Sequence, residues 1–91
     1  MKKKILKYKL ETDDLQEITM PKGAELLCVK TQYEIPRLYV LADTEQCDET
    51  RQIQIIEVGH YIDDSFTGVY VDSYRLNGFS LVFHVFDNGV I

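Results

Sequence analysis

Arginine and aromatic side chains are the residue types in this sequence that could bind a phosphorylated, base-containing ligand. Beyond the first nine residues the chain has only three arginines, Arg37, Arg51 and Arg75, and aromatic residues lie near them in sequence. Guanidinium groups donate paired hydrogen bonds to phosphate, and flat rings stack on bases. The alternative is that the arginines pair with the chain's own acids while the tyrosines line the rim of the core. We predict a ligand site that uses Arg51 and Arg75 for phosphate, Tyr61 and Tyr74 for stacking, and His60 as a hydrogen-bond donor.

Metal binding and nucleophilic catalysis have little support from residue spacing. The soft metal ligands are Cys28, Cys47, His60 and His84, and none of them are paired at the C-x-x-C or H-x-x-x-H spacing of a zinc site. The motifs G-x-S-x-G, G-x-x-x-x-G-K-[ST] and G-x-G-x-x-G do not occur. We therefore expect no metal, no cofactor and no catalytic residue. A hydrolase that uses His60 and an acid is the enzymatic alternative.

The two histidines have specific expected surroundings. Gly59 precedes His60 at the end of a predicted strand, and a glycine there suggests that the backbone closely approaches a ligand or another strand. His84 lies in an apolar run. A two-residue turn at Asn77-Gly78 would place it opposite Val71. We expect His84 to be partly buried and hydrogen-bonded.

Charge is distributed unevenly along the chain. The net charge is −5, yet residues 1–9 carry five lysines and no acid. Residues 10–91 carry five basic and fifteen acidic side chains, which gives a net charge of −10. We recognise no basic stripe, and an acidic body argues against nucleic acid as a partner. The acidity favours a solvated surface or one that docks on a basic protein, and the lysines are expected to protect an edge strand.

Length and composition predict one globular domain over residues 1–91. No apolar run approaches the roughly 18–20 residues that span a bilayer, and the N-terminal lysines alternate with apolar residues rather than precede a signal peptide's apolar region. We expect a cytoplasmic protein with reduced cysteines and no membrane partner. A chain this short has little room for an enclosed pocket, so we expect a homo-oligomer with its site at an interface.

Alternating apolar residues predict an all-β fold of about seven antiparallel strands, in a small sandwich or barrel. No segment shows a convincing helical period. The predicted strands are Leu6–Leu10, Ile18–Met20, Leu26–Gln32, Leu38–Ala42, Arg51–His60, Val69–Leu76 and Phe79–Phe86.

Local patterns predict how these strands are connected and distorted. Pro21-Lys22-Gly23 predicts a turn, with proline at the first corner and glycine accepting a positive φ at the exit. Glu34-Ile35-Pro36 is expected to interrupt pairing. Apolar side chains switch parity along Arg51–His60, which predicts a β-bulge near Ile55-Ile56. Asn77-Gly78 between two alternating runs predicts a C-terminal hairpin.

Several short segments resemble a known group of proteins. They are the lysine-rich opening with Tyr8, Met20-Pro21-Lys22-Gly23-Ala24, Leu38–Asp43, Thr50-Arg51, Gly59-His60 and Leu81–Phe86. Over nearly its whole length, the chain resembles a family of small phage and prophage proteins of unassigned function. That family commonly has tryptophan where Tyr39 stands and a small residue where Val58 stands. The resemblance implies an accessory role, such as inhibition of bacterial defence, and supplies no established activity.

Three functional hypotheses are compatible with these observations. The first is a non-enzymatic inhibitor of host defence that sequesters a nucleotide-derived signalling molecule in an oligomer. The second is an acidic interaction module that inhibits a basic host defence protein. The third is a small nucleotide hydrolase. We expect the protein to act in the cytoplasm of the host cell.

Overall fold

Seven β-strands make up most of the computed structural model, which describes residues 2–76 and 82–91. They are β1 (Lys3–Lys9), β2 (Leu15–Pro21), β3 (Glu25–Gln32), β4 (Ile35–Asp43), β5 (Asp48–Glu57), β6 (Val69–Arg75) and β7 (Val82–Val90). Every strand pair is antiparallel, so the all-β prediction is confirmed. Within these two ranges, no helix is long and apolar enough to cross a membrane.

The strands form two sheets that pack as a sandwich and do not close into a barrel. The three-stranded sheet has the order β1-β4-β3, and the four-stranded sheet has the order β2-β5-β7-β6. The strand predicted over Leu38–Ala42 corresponds to β4, which lies in the middle of its sheet, between β1 and β3. Alternation places one face of each sheet against the core and leaves the other face outside.

The core lies between the two sheets and is built from alternate residues of the strands. In β4, Leu38, Val40 and Ala42 are buried, whereas the residues between them are only partly buried. In β5, Ile53 and Ile55 are buried in the same way. The other buried core residues are Leu10, Ile18, Met20, Ala24, Val29, Tyr74 and Val85. The alternation of apolar and polar residues in the sequence therefore identifies correctly which side chains face the core.

One carboxylate joins the two sheets. Oδ2 of Asp72 in β6 accepts a hydrogen bond of 2.8 Å from the backbone N–H of Val29 in β3, and both groups are partly buried. The other carboxylate oxygen, Oδ1, accepts a hydrogen bond from the N–H of Ser73. An edge strand such as β3 leaves N–H groups without a strand partner. Asp72, which lies on the other sheet, accepts a hydrogen bond from one of these N–H groups.

Two connections show how local chemistry sets the turns. The N–H of Ala24 donates to the carbonyl of Pro21, and Gly23 has φ of +78°, which confirms the predicted turn. Pro21, however, is the last residue of β2 and not the first corner. The interruption of strand pairing that was expected at Glu34-Ile35-Pro36 begins one residue earlier, at Tyr33. Tyr33 and Glu34 form the two-residue turn with φ of 53° and 64°, as a hairpin twist requires, and β4 already begins at Ile35.

The predicted fifth strand differs from β5 at both ends and in its bulge. β5 begins at Asp48 because that residue pairs with Pro21 of β2, and it ends at Glu57. The bulge expected near Ile55-Ile56 is absent, since Ile55 and Ile56 pair in register with β7. The irregularity lies between Arg51 and Ile53 instead. Ile56 simply points to the outer face, where it is partly buried.

The C-terminal strand pair is confirmed, but its register is not the predicted one. Asn77-Gly78 lies outside the described residues. On either side, Arg75 pairs with Val82, whereas a two-residue turn at Asn77-Gly78 would pair Arg75 with a residue two positions earlier. His84 consequently lies opposite Ser73 and not Val71. β7 also continues to Val90, beyond the predicted end at Phe86, because it keeps pairing with β5.

Candidate functional site

An open cleft of about 460 Å³ lies at the C-terminal end of β5. One wall is the end of β5 from Gln54 to Glu57. The second comes from the β1–β2 connection, which contributes Thr12 and Asp14, and the third from the segment after β5. The carbonyl of Asp14 accepts a hydrogen bond of 2.8 Å from the N–H of Ile55, which attaches the second wall to the first.

The segment after β5 is shaped by two turns. The N–H of His60 donates to the carbonyl of Glu57, and Gly59 between them has φ of +89°. A Cβ atom at Gly59 would meet no atom within 4 Å, so this glycine serves the turn. No other strand of the described residues lies close to Gly59, so of the two expected neighbours only a ligand stays a prediction. Further along, Asp63 Oδ1 accepts hydrogen bonds from the N–H and hydroxyl of Ser65. These bonds lower the pKa of the Asp63 carboxyl.

Carboxylates and rings dominate the lining of the cleft. Its acids are Asp14, Glu57 and Asp63, and neither lysine nor arginine is among its described lining residues. Nε2 of His60 lies 2.9 Å from Oε2 of Glu57. The Tyr61 side chain is fully exposed. Such a site attracts a cation, by charge and by the negative faces of its rings, and repels phosphate.

An aromatic cluster on the outer face of the four-stranded sheet adjoins the cleft through Phe66. The rings of Phe66 and Phe86 meet edge to face with centroids 5.0 Å apart, and Tyr70 meets Phe86 similarly at 5.3 Å. The hydroxyl of Tyr70 lies 3.1 Å from Nδ1 of His84. His84 is thus partly buried and hydrogen-bonded, as expected. Alternation of His84 and Phe86 in β7 signalled a shared face, but Phe66 had no strand pattern to place it there.

Comparison with known proteins gives a family and no further relatives. A family model described as a domain of unknown function (DUF7352) matches residues 1–90. The chain belongs to this family. No curated protein and no solved structure matches the chain.

The structure brings together two of the five predicted ligand residues. His60 and Tyr61 line the cleft. Arg75 is exposed at the end of β6 and forms no ion pair with any residue in the described ranges. The remaining two, Arg51 and Tyr74, have partners within this chain.

Arg51 is held inside the sandwich edge by three acceptors. Its Nη1 donates to Oδ2 of Asp87 at 2.8 Å, and its Nη2 donates to the carbonyl of Ala24 at 2.8 Å and lies 3.5 Å from Oε2 of Glu49. The side chains of Arg51 and Asp87 are only 14% and 18% exposed. Arg51 therefore pairs with acids of its own chain, which was the alternative to ligand binding given in the sequence analysis.

Tyr74 is a core residue whose ring is already stacked. It is buried, and its ring lies nearly parallel to that of Phe83 with centroids 5.3 Å apart. Burial raises the pKa of the Tyr74 hydroxyl above its usual value. The rim-of-core alternative therefore describes Tyr74 as well.

The raised pKa of Tyr74 predicts a loss of stability at alkaline pH. Tyrosine in the unfolded chain has a pKa of about 10. Below that pH the Tyr74 hydroxyl is protonated in both the folded and the unfolded state, so it does not make the stability depend on pH. At higher pH the unfolded state loses its proton first, so stability falls until the pH passes the raised native pKa. Tyr74→Phe should reduce this loss, measured by urea unfolding from pH 8 to 11. Tyr33→Phe, at an exposed position, should not. Equal alkaline losses in Tyr74→Phe and the wild type would contradict this expectation.

The metal ligands do not converge in the described residues. No group of three or more His, Cys, Asp or Glu side chains there could hold a metal ion. Cys28 and Cys47 are free thiols, one partly buried and one exposed. Cys28 lies on the outer face of the three-stranded sheet, paired with Tyr39.

Three basic residues form a row across the three-stranded sheet. Lys9 of β1 pairs with Arg37 of β4, which pairs on its other side with Lys30 of β3. No basic stripe was recognised because these residues lie on three separate strands and are far apart in sequence. Pairing alone brings them side by side.

Proposed function

We propose that this domain is a non-enzymatic protein-interaction module whose cleft receives a basic side chain of a partner protein. The observation that carries the proposal is the lining. Asp14, Glu57 and Asp63 supply negative charge, Tyr61 and Phe66 supply rings, and no lysine or arginine is among the described residues around them. Carboxylates with aromatic faces are the groups that bind guanidinium and ammonium ions.

The shape of the cleft agrees with this occupant. It is open to solvent, and its volume of about 460 Å³ is large enough for an arginine or lysine side chain with part of its backbone. The exposed Tyr61 and Ile62 at its mouth offer apolar surface to the aliphatic stem of such a side chain. The acidic charge of residues 10–91 would steer a basic partner toward it.

Sequestration of a nucleotide has less support from the geometry. Arg51 already binds acceptors of its own chain, Tyr74 is stacked in the core, and Arg75 does not line the cleft. Hydrolysis also has less support. The His60 and Glu57 side chains are 65% and 31% exposed, so the pair is not enclosed in a site that excludes water. The resemblance to phage proteins adds the expectation that the basic partner is a host protein.

Titration with a defined basic peptide tests the proposal. An N-acetylated, C-amidated tetra-arginine peptide should shift the backbone amide NMR signals of residues 54–66, and the affinity should fall with added salt. The double variant Asp14→Asn/Glu57→Gln should bind about tenfold more weakly, since each partly exposed charge pair contributes up to about 1 kcal/mol.

A matched variant separates the cleft from general acidity. Glu17→Gln/Glu25→Gln removes the same charge from exposed positions that do not line the cleft. It should bind the peptide within about twofold of the wild type. Equal losses in the two double variants, or equal shifts with a tetra-glutamate peptide, would exclude the cleft as a specific site for basic side chains.

A further inference from the structure

The outer face of the three-stranded sheet concentrates positive charge in a protein that is otherwise acidic. Lys9, Arg37 and Lys30 pair laterally across β1, β4 and β3. In the adjacent row on the same face, Lys7 pairs with Tyr39. We call these five residues the basic face. Their neighbours in β4, including Leu38, point into the core, so the five side chains point outward together.

Side-by-side cations of this kind cost stability unless an anion neutralises them. Neighbouring strands are about 4.8 Å apart, and like charges directly opposite each other repel. Lys9 reaches Glu11 at 3.9 Å, with both side chains more than half exposed. Over residues 2–76 and 82–91, neither Arg37 nor Lys30 forms an ion pair. Arg37 and Lys30 therefore carry positive charge that an external anion would neutralise.

Arg37 carries a second sign of an incomplete site. Its Nε is buried and has no hydrogen-bond partner among the described residues. Its side chain is partly buried in the middle of the row, between two exposed lysines. The carboxylates of this face, Glu25 and Asp43, lie at the opposite end, where they pair with Leu41 and Lys3. The guanidinium therefore belongs to a locally positive surface.

We propose that the basic face binds single-stranded nucleic acid. A flat sheet face cannot enclose a small anion, but an extended chain of phosphates can contact several cations at once. The partly buried ring of Tyr39 lies beside Lys7, where it can stack on a base. The acidic cleft lies on the other sheet, at the end of β5, so the acidity of the body does not remove the local attraction. This inference is independent of the interaction module proposed above.

Fluorescence anisotropy with a labelled 20-nucleotide oligothymidine tests the basic face. In 50 mM NaCl the wild-type protein should bind, and log K should fall with log salt concentration with a slope of about −2, as for three phosphate contacts on a single strand. Lys9→Gln/Lys30→Gln should weaken binding at least about fivefold, and adding Arg37→Gln should weaken it further and flatten the slope. The double variant changes only exposed side chains, so it keeps the test valid if the triple variant fails to fold.

Lys2→Gln/Lys22→Gln is the matched control, because it removes two exposed lysines outside the basic face. It should bind the oligothymidine within about twofold of the wild type. Tyr39→Leu should weaken oligothymidine binding about fivefold or more through lost stacking, and it should leave competition by inorganic polyphosphate unchanged.

Three outcomes would overturn the inference. The first is no anisotropy change at 100 µM wild-type protein, a concentration of about the order of weak non-specific binding. The second is an equal loss of binding in the control and in Lys9→Gln/Lys30→Gln. The third is equally tight binding of a labelled 20-residue polyglutamate, which would assign the face to an acidic protein instead.

Discussion

Replacing Arg51 with methionine should lower the free energy of unfolding by about 3 kcal/mol, because it leaves the mostly buried carboxylate of Asp87, 18% exposed, without its charged partner. Asp87 loses a hydrogen bond of 2.8 Å, and the carbonyl of Ala24 loses another. Methionine keeps much of the aliphatic stem, so the loss reports the charged contacts more than the packing. Urea unfolding followed by circular dichroism measures the change.

Arg75→Met is the control that this chain offers. Arg75 is exposed and forms no ion pair with a described residue, so its replacement should change stability by no more than about 0.5 kcal/mol. If Arg51→Met were as stable as the wild type, the Arg51 contacts would not hold the fold together, and the guanidinium would be free for a ligand. A large loss of stability for Arg51→Met, with little change for Arg75→Met, would show that Arg51 has a structural role. Its closeness in sequence to aromatic residues would then not indicate a binding site.

Replacing Asp72 with alanine should destabilise the protein by about 2 kcal/mol, because it removes the hydrogen bonds to the N–H groups of Val29 and Ser73. For a domain of this size, that loss corresponds to a fall in melting temperature of roughly 8–16 °C. The bond to Val29 crosses between the sheets. We therefore also expect faster hydrogen exchange at the Val29 amide, measured by NMR.

Asp72→Asn separates the hydrogen bond from the charge. Asparagine keeps one carbonyl oxygen that can accept from Val29, so this variant should recover about half of the lost stability. Asp64→Ala, at an exposed loop position, should have little effect. Equal stability of Asp72→Ala and the wild type, with Val29 exchange unchanged, would mean that the hydrogen bond does not hold the sheets together.

Strand content and the inner faces could be predicted from the sequence because they depend on local alternation. Leu38, Val40 and Ala42 repeat every second residue and are all buried. The turn at Gly23 was predictable for a similar reason, since a positive φ there is a local requirement. These features need no knowledge of which strand lies beside which.

Register and strand order were not predictable, because they depend on contacts between distant residues. The bulge in β5 lies between Arg51 and Ile53, where β7 pairs with it, and not where the parity of the isoleucines switched. His84 lies opposite Ser73 because the strand pair adopts a register two residues from that of the expected turn. A single step of register changes which side chains meet.

The candidate sites show the same division. The sequence by itself determined that this protein is built of β-strands in which apolar residues alternate with polar ones. It also determined that residues 10–91 are acidic and that residues 1–9 are rich in lysine. Only the tertiary structure decided which charges remain available. Arg51 is bound by acceptors inside the fold. His60 and Tyr61 lie beside carboxylates in the cleft. Lys9, Arg37 and Lys30 lie side by side although they belong to three different strands. The physical reason is that alternation is set by neighbours in the chain, whereas electrostatic surfaces are set by neighbours in space.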